Sequence, residues 1–322
     1  MNRFPTRRAV LGAVLAVAAA ASHAAFPNKP IRLIVGASAG GTTDTLAREV
    51  AEDMTKTLGQ PVIVENKAGA GGNIAAMEVQ RAPADGHTLL VAFTSHTMNA
   101  SLSKKLPYDP IADFTPVALL AKVSSVLVTR TDAPYRDVRE VIAKGKAGKP
   151  ALSFAIGGTG SSLHMDTYEF EKSAGVPVTQ VPFKGTSPAL ADVLAGHVDL
   201  MFAPVNGARP LIQSGKLRAL AVAGPKRIAA FPDAAPITEA VAGYTTNYGW
   251  FGILGPARLP ADVTRALNAA INKAMQQPKV KARLEGDGST PEVGTPEQFA
   301  TFLAGDIKHW ASQAKAFGIQ PE

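Results

Sequence analysis

The sequence predicts an α/β protein built as two similar domains, and three observations carry that prediction. Short apolar runs of strand character alternate with amphipathic helical stretches from residue 31 to the end. A unit of strand, glycine-rich turn, hydroxyl residues and helix occurs twice, about 120 residues apart, which is one domain's length. The composition is that of a large globular chain: 322 residues, 46% hydrophobic, 18% charged, with 29 Gly and 24 Pro spread without period. A chain this long buries about three quarters of its unfolded surface and needs no disulfide or metal staple. The absence of Cys excludes thiolate zinc sites, iron–sulfur clusters and thiol nucleophiles.

Residues 1–24 have the layout of an export signal. Arg3, Arg7 and Arg8 form a basic start, residues 9–21 are apolar, and Ser22 and Ala24 put small residues where a signal peptidase reads them. The apolar run is too short to cross a bilayer, which takes about 20 residues. Cleavage is expected after Ala24, with the mature chain in the periplasm. Arg7 and Arg8 also resemble a twin-arginine signal, and the sequence does not choose between the two export routes. The chain carries 33 basic and 26 acidic residues, net +7; removing three Arg with the signal leaves 30 − 26 = +4. No dense basic run or basic-aromatic stripe remains, which argues against nucleic acid as a partner.

The mature chain opens with a strand at 31–35. A helix follows, with Leu46, Val50, Met54 and Leu58 on one face and Gly59 as its stop. Next come a strand at 62–65, a short helix at 73–81 and a strand at 88–93. The second copy of the repeated unit is a strand at 151–156 and a helix carrying Leu163, Thr167, Phe170 and Ala174 in a stripe. Ser187-Pro188 reads as an N-cap with proline at the first helical position, and Gly196 as that helix's end. Strands at 198–203 and 217–223 follow. Thr295-Pro296-Glu297-Gln298 is a capping box opening a last helix with Phe299, Phe302, Leu303, Ile307, Trp310 and Phe317 in its stripe. This alternation predicts mostly parallel sheets.

The two glycine-rich turns are the candidate chemistry. The first runs Gly36-Ala37-Ser38-Ala39-Gly40-Gly41 into Thr42 and Thr43; the second runs Gly157-Gly158-Thr159-Gly160 into Ser161 and Ser162. Such turns expose unpaired N–H groups and the positive end of a helix dipole, so each is an anion site with hydroxyls as further donors. Neither is a phosphate-binding P-loop, because Thr42 and not Lys follows the first turn. A third turn, Gly69 to Gly72, precedes Asn73. Of the five His beyond residue 24, none is paired at helical metal spacing; His96 and His164 follow strands and glycine turns, where a hydrogen bond to ligand and a local cap are equally open. Lys184 lies in a strand-to-helix loop where it can add a counter-charge. No cofactor and no metal are expected.

A hydrolase is the rival reading. Gly36-Ala37-Ser38-Ala39-Gly40 matches the nucleophile-elbow pattern, and Asp199 and His309 follow in the required order. Against it, no His-Gly-Gly oxyanion motif exists, and His309 sits inside the terminal amphipathic helix.

Several segments in order resemble one family. They are Lys29 to Val35, Gly40 to Asp44, Val64 to Ile74, Ala84 to Leu90, Val181 to Gly185, Pro188 to Leu190, Gly196 to Asp199, Lys216 to Val222 and Trp250 to Gly252. Together they are similar to the Bug-type receptors, the periplasmic solute-binding proteins of tripartite tricarboxylate transporters. The resemblance implies a two-domain periplasmic-binding-protein fold of type II-like form with the ligand cleft between domains. Domain one would be 25–124 plus 225–322 and domain two 125–224, with the two crossings as hinge. It also implies a monomer that captures a small organic carboxylate without catalysis, for membrane subunits of the transporter. The ligand positions carried over are Gly41, Thr42, Thr43 and Asp44; Ala70, Gly71 and Gly72; Thr94, Ser95 and His96; and Gly157, Thr159, Gly160, Ser161 and His164. Ser38 and Lys184 join them on the chemistry of the turns. Where the family usually has an aromatic and prolines before the double glycine, this chain has Ala37, Ser38 and Ala39, a smaller wall that would admit a bulkier or aromatic acid.

Overall fold

The computed structural model describes residues 26–148, 150–157, 161–183, 185–224, 226–286 and 288–319. The export signal at 1–24 lies outside them. The first stretch of chain runs β1 (Ile31–Val35), α1 (Thr42–Leu58), β2 (Val62–Asn66), α2 (Asn73–Gln80), β3 (Thr88–Phe93), α3 (Ser95–Leu102) and β4 (Phe114–Val123). The second runs β5 (Ser125–Arg130), α4 (Val138–Lys146), β6 (Leu152–Ile156), α5 (Ser162–Ala174) and β7 (Val178–Pro182). It continues through α6 (Thr186–Ala195), β8 (Leu200–Pro204), α7 (Val205–Gln213) and β9 (Leu217–Val222). The third holds β10 (Gly249–Pro256), α8 (Ala261–Met275), α9 (Pro278–Gly286), β11 (Ser289–Pro291) and α10 (Pro296–Ala316).

Two sheets result. One has the order β11-β4-β10-β3-β1-β2 and the other β7-β6-β8-β5-β9. Each contains the same core: a strand flanked by two parallel partners, β2-β1-β3 in the first and β7-β6-β8 in the second, joined by helical crossovers. The expectation of mostly parallel sheets is corrected here. β10 runs antiparallel to β3 and β4, β11 to β4, and β5 to β8 and β9. The reason is the crossing of the chain. The parallel strands end at the face between the sheets, whereas β5 and β10 arrive from the other sheet and so start there. Only Ser124 separates β4 from β5.

Strand alternation divides the core. Ile31, Leu33 and Val35 face Leu46, Val50 and Met54 of α1 and Leu267 and Ile271 of α8, while Ile34 faces Ala75 and Val79 of α2 and Phe299 and Leu303 of α10. In the second sheet Phe154 and Ile156 pack with Phe170 of α5, and Ala155 packs with Leu190 and Val193 of α6. Both sheets are therefore covered on both faces, as a parallel core requires.

Helix ends follow the sequence closely except once. Thr295 and Gln298 form the reciprocal cap of α10, at 3.2 and 2.9 Å. Gly59, Gly175 and Gly196 end α1, α5 and α6 in the left-handed region. α6, however, begins at Thr186 with Gly185 before it, not at Pro188 behind a Ser187 cap. Pro188 is thus the third helical residue, where the missing N–H is one the helix leaves unpaired anyway.

Candidate functional site

The repeated turns are shaped by close backbone approach. A side chain on Gly36, just after β1, would stand 2.9 Å from the Gly72 Cα at the start of α2. One on Gly157, just after β6, would stand 3.1 Å from the Thr186 Cα at the start of α6. Each turn therefore leads into one helix and lies against the N-terminus of the helix after that, α2 and α6 respectively. Asp44 fixes the first turn from within α1. Its carboxylate accepts from the Gly40 N–H at 2.8 Å, the Asn66 amide at 2.9 Å and the Arg48 guanidinium at 3.0 Å. Burial alone would raise its pKa, but those donors outweigh it and hold the group below its ordinary value.

Between the sheets lies a cavity of about 430 Å³, the size of a small-molecule site. Five helix N-termini border it: Gly41, Thr42 and Thr43 of α1, Thr94 and Ser95 of α3, Ser161, Ser162 and Leu163 of α5, Thr186 of α6, and Asn206 of α7. Phe93, Met98, Val123, Trp250 and Phe251 supply apolar wall, and Ser124, Ser125, Asn247 and Gly249 line it from the two crossings. No Lys, Arg or His lines it among the described residues. Such an arrangement suits an anion held by dipoles and N–H groups rather than by a counter-ion. No group of three or more His, Asp or Glu among the described residues is placed to hold a metal ion.

Of the residues singled out in the sequence, Ser38, Gly41, Thr42, Thr43, Thr94, Ser95 and Ser161 border this cavity. Ser161 also caps α5, its hydroxyl accepting from the His164 N–H at 3.3 Å. Gly71, Gly72 and His96 border a separate small hollow, and Ala70 lies in the same turn. The Ser95 hydroxyl donates to the Gly71 carbonyl at 2.5 Å, which joins that turn to the cavity's rim. His96 is buried, its Nε2 3.0 Å from the Pro110 carbonyl and its ring stacked on Tyr108; burial pushes its pKa down to about 4. His164 lies outside the cavity, with Nε2 2.7 Å from Gln180. Asp44 and Gly157 shape turns without bordering the cavity. Thr159, Gly160 and Lys184 lie outside the described residues.

Sequence reasoning missed Asp166, Asn206 and Asn247. Asp166 carried a signal: it stands four residues after Ser162 on α5, hence on the same helix face. Ser125 Oγ donates to one of its oxygens at 2.6 Å and the Tyr244 hydroxyl to the other at 3.1 Å. Burial raises its pKa to about 7 even so. Asn206 and Asn247 carried none, because each meets the site only through the tertiary fold.

Residues 46–319 match the tripartite tricarboxylate transporter family receptor model. The chain belongs to this receptor family. The periplasmic binding protein BugD is 32% identical with a TM-score of 0.80, over 92% of this chain and all 100% of that one. Rpa4515 of R. palustris, solved with adipate, is 32% identical with a TM-score of 0.83, over 92% and 100%. MatC from Rhodopseudomonas palustris, solved with malate, is 35% identical with a TM-score of 0.76, over 89% and 99%. The family's fold is the two-domain fold of periplasmic solute-binding proteins, and its members bind solutes without catalysis. The hydrolase reading fails on this receptor's geometry as well. Asp199 accepts from the Ser153 N–H and hydroxyl and from Tyr135, and His309 contacts Asn247 at 2.9 Å, so neither serves Ser38.

Proposed function

We propose that this receptor is exported to the periplasm, captures a small organic carboxylate between its two domains and delivers it to the membrane subunits of its transporter. The observation that carries the carboxylate assignment is the ring of five helix N-termini around a cavity that no described cationic side chain lines. A carboxylate oxygen there takes N–H bonds from residues 41–43 and 161–163 and hydroxyl bonds from Thr42, Thr43, Ser161 and Ser162. The class includes di- and tricarboxylates, amino acids and aromatic acids; adipate and malate in the two R. palustris relatives belong to the first of these.

We propose dividing lines of 25–124 plus about 247–322 for one domain and 125–246 for the other, later than the expected 225 because Phe231, Ile237, Val241 and Tyr244 pack in the second sheet's cores, with the crossings at Ser124 and near Asn247 as hinge. Anions held from both sides favour the closed arrangement, which is how a binding protein signals occupancy. We assign a monomer, cleaved after Ala24; the intact mass of protein from a periplasmic extract checks the cleavage.

A thermal-shift screen of the mature protein against carboxylic acids tests the reading. A ligand at 100 times its dissociation constant adds about 2.7 kcal/mol of stability. Stabilisation by at least one acid, without its turnover, is expected. No shift with any acid of the class would refute the assignment.

A further inference from the structure

Asp166 is out of place in a cavity built for an anion. It is the one ionisable side chain among the described residues that border the cavity, and it is 1% exposed. Two hydroxyls, Ser125 and Tyr244, already donate to it. Glu169 lies less than a turn further along α5, also buried, and takes the Thr245 N–H at 3.2 Å and the Ser173 hydroxyl at 2.5 Å. Neither acid forms an ion pair with a described residue. A buried carboxylate without a counter-charge is costly, and proteins keep one where something else supplies the charge.

Beside it sits a second unsatisfied group. Asn247 is 1% exposed and borders the same cavity. Its carbonyl oxygen lies 2.9 Å from the His309 Nε2, which orients the amide, and its NH2 faces the Asp166 carboxylate without a close hydrogen bond. A buried donor left unmade costs free energy that a ligand acceptor recovers. The two groups together call for a ligand with a strong donor next to an acceptor.

We propose that Asp166 and Asn247 form a specificity subsite for an ammonium group, so that the receptor selects amino carboxylates over the parent acids of the same skeleton. The inference rests on the carboxylate reading above. The ammonium donates to Asp166 and supplies the missing positive charge, while the adjoining carboxylate accepts from Asn247 and from the start of α5. A ligand carrying a second carboxylate in place of the amine would meet Asp166 as a like charge instead. Ser125 and Tyr244 come from the two crossings, so engagement of Asp166 also bears on the hinge.

Calorimetry on the mature protein with two matched pairs tests this: 2-aminoadipate against adipate, and norleucine against hexanoate. The amine is expected to improve affinity by about thirtyfold in each pair that binds, the worth of a buried charge pair. Asp166→Asn, which keeps the shape, should abolish that gain and leave the parent acids as tight or tighter. As a readout that needs no variant, the gain in the wild-type protein should grow between pH 5.5 and 8 as Asp166 ionises. The groups facing Asp166 are Ser125, Tyr244, Asn247 and Glu169, with His309 behind Asn247 and near Glu169. An adipate or hexanoate complex no weaker than that of its amino derivative, at both pH values, overturns the subsite while leaving the carboxylate receptor standing. Binding of none of the four, in a protein that binds another carboxylic acid in the thermal-shift screen, would likewise overturn the subsite and leave the receptor standing.

Discussion

Asn206 on α7 donates its side-chain amide to the Thr42 hydroxyl on α1, so one hydrogen bond ties the two sheets' helices together across the cavity. The Gly207 N–H, at 2.9 Å from Asn206 Oδ1, orients that amide. Both residues border the cavity, and Thr42 is also a proposed ligand contact. A net contribution of about 0.5–1.5 kcal/mol is ordinary for such a bond. Asn206→Ala should therefore weaken binding two- to tenfold and raise the radius of gyration of the free protein measured by solution scattering. An unchanged radius and an unchanged affinity would show that the bond does not hold the domains.

Thr42 and Ser161 occupy matching places in the two turns but should respond differently to loss of the hydroxyl. Thr42 is not a cap; Gly41 precedes α1 with no side-chain bond. Ser161 caps α5. Thr42→Val is expected to lower affinity with little change in melting temperature. Ser161→Ala should lower affinity and cost about 1 kcal/mol of stability, the usual worth of a cap. Calorimetry and thermal melts on the same preparations separate the two effects. Full affinity in both variants would remove the hydroxyls from recognition.

These two positions also mark what local sequence reveals. β1, α1 and the α10 cap were legible because their information is local: alternating apolar residues, a four-residue stripe, a Thr295–Gln298 pair three apart. The repeated turn was legible for the same reason, and it led to Ser38, Thr42 and Ser161 at the cavity. Strand direction was not. β5 and β10 have the composition of any buried strand, and only their entry from the opposite sheet makes them antiparallel to their neighbours. The start of α6 was misjudged because Ser187-Pro188 is a good local cap, while the packing of Gly157 against Thr186 places the helix start earlier. Asp166, Asn206 and Asn247 gain meaning from partners such as Ser125, Thr42 and His309, 41, 164 and 62 residues away.

Asp166 makes a prediction about pH. In the folded protein its pKa is about 7, against an ordinary 3.8. Over that window the folded state keeps a proton that the unfolded chain has lost, so this group's contribution falls as pH rises, by at most about 1.4 kcal/mol per unit. Asp44 and Asp85, whose pKa values lie below the ordinary range, work in the opposite direction and cost stability only in stronger acid. The stability of Asp166→Asn relative to wild type should therefore increase from pH 4 to 7 and level off above. Thermal or urea denaturation across that range checks it; a constant difference would mean that Asp166 is ionised throughout.

The approach of Gly36 to Gly72 can be tested by adding one methyl group. Gly36→Ala puts a Cβ 2.9 Å from a backbone atom that has no side chain to move aside. The expected cost is about 1–3 kcal/mol in unfolding free energy. Because the displaced turn carries Gly41, Thr42 and Thr43, ligand affinity should fall as well. Addition of a methyl at Gly305, which meets nothing within 4 Å, is the matched control and should leave affinity unchanged.

The central claim is that helix N-termini, and not a side-chain cation, hold the ligand's carboxylate. Lys184 is the sequence's candidate for such a cation. Titration calorimetry of the wild-type protein and Lys184→Met with the tightest acid of the adipate, malate and amino-acid series, and with its primary amide, addresses the claim directly. The account predicts that the acid binds both proteins within about threefold of one another and that the amide, which lacks the charge, binds each at least about tenfold more weakly. Loss of acid binding in Lys184→Met alone, or an amide that binds wild type as tightly as the acid, would contradict it.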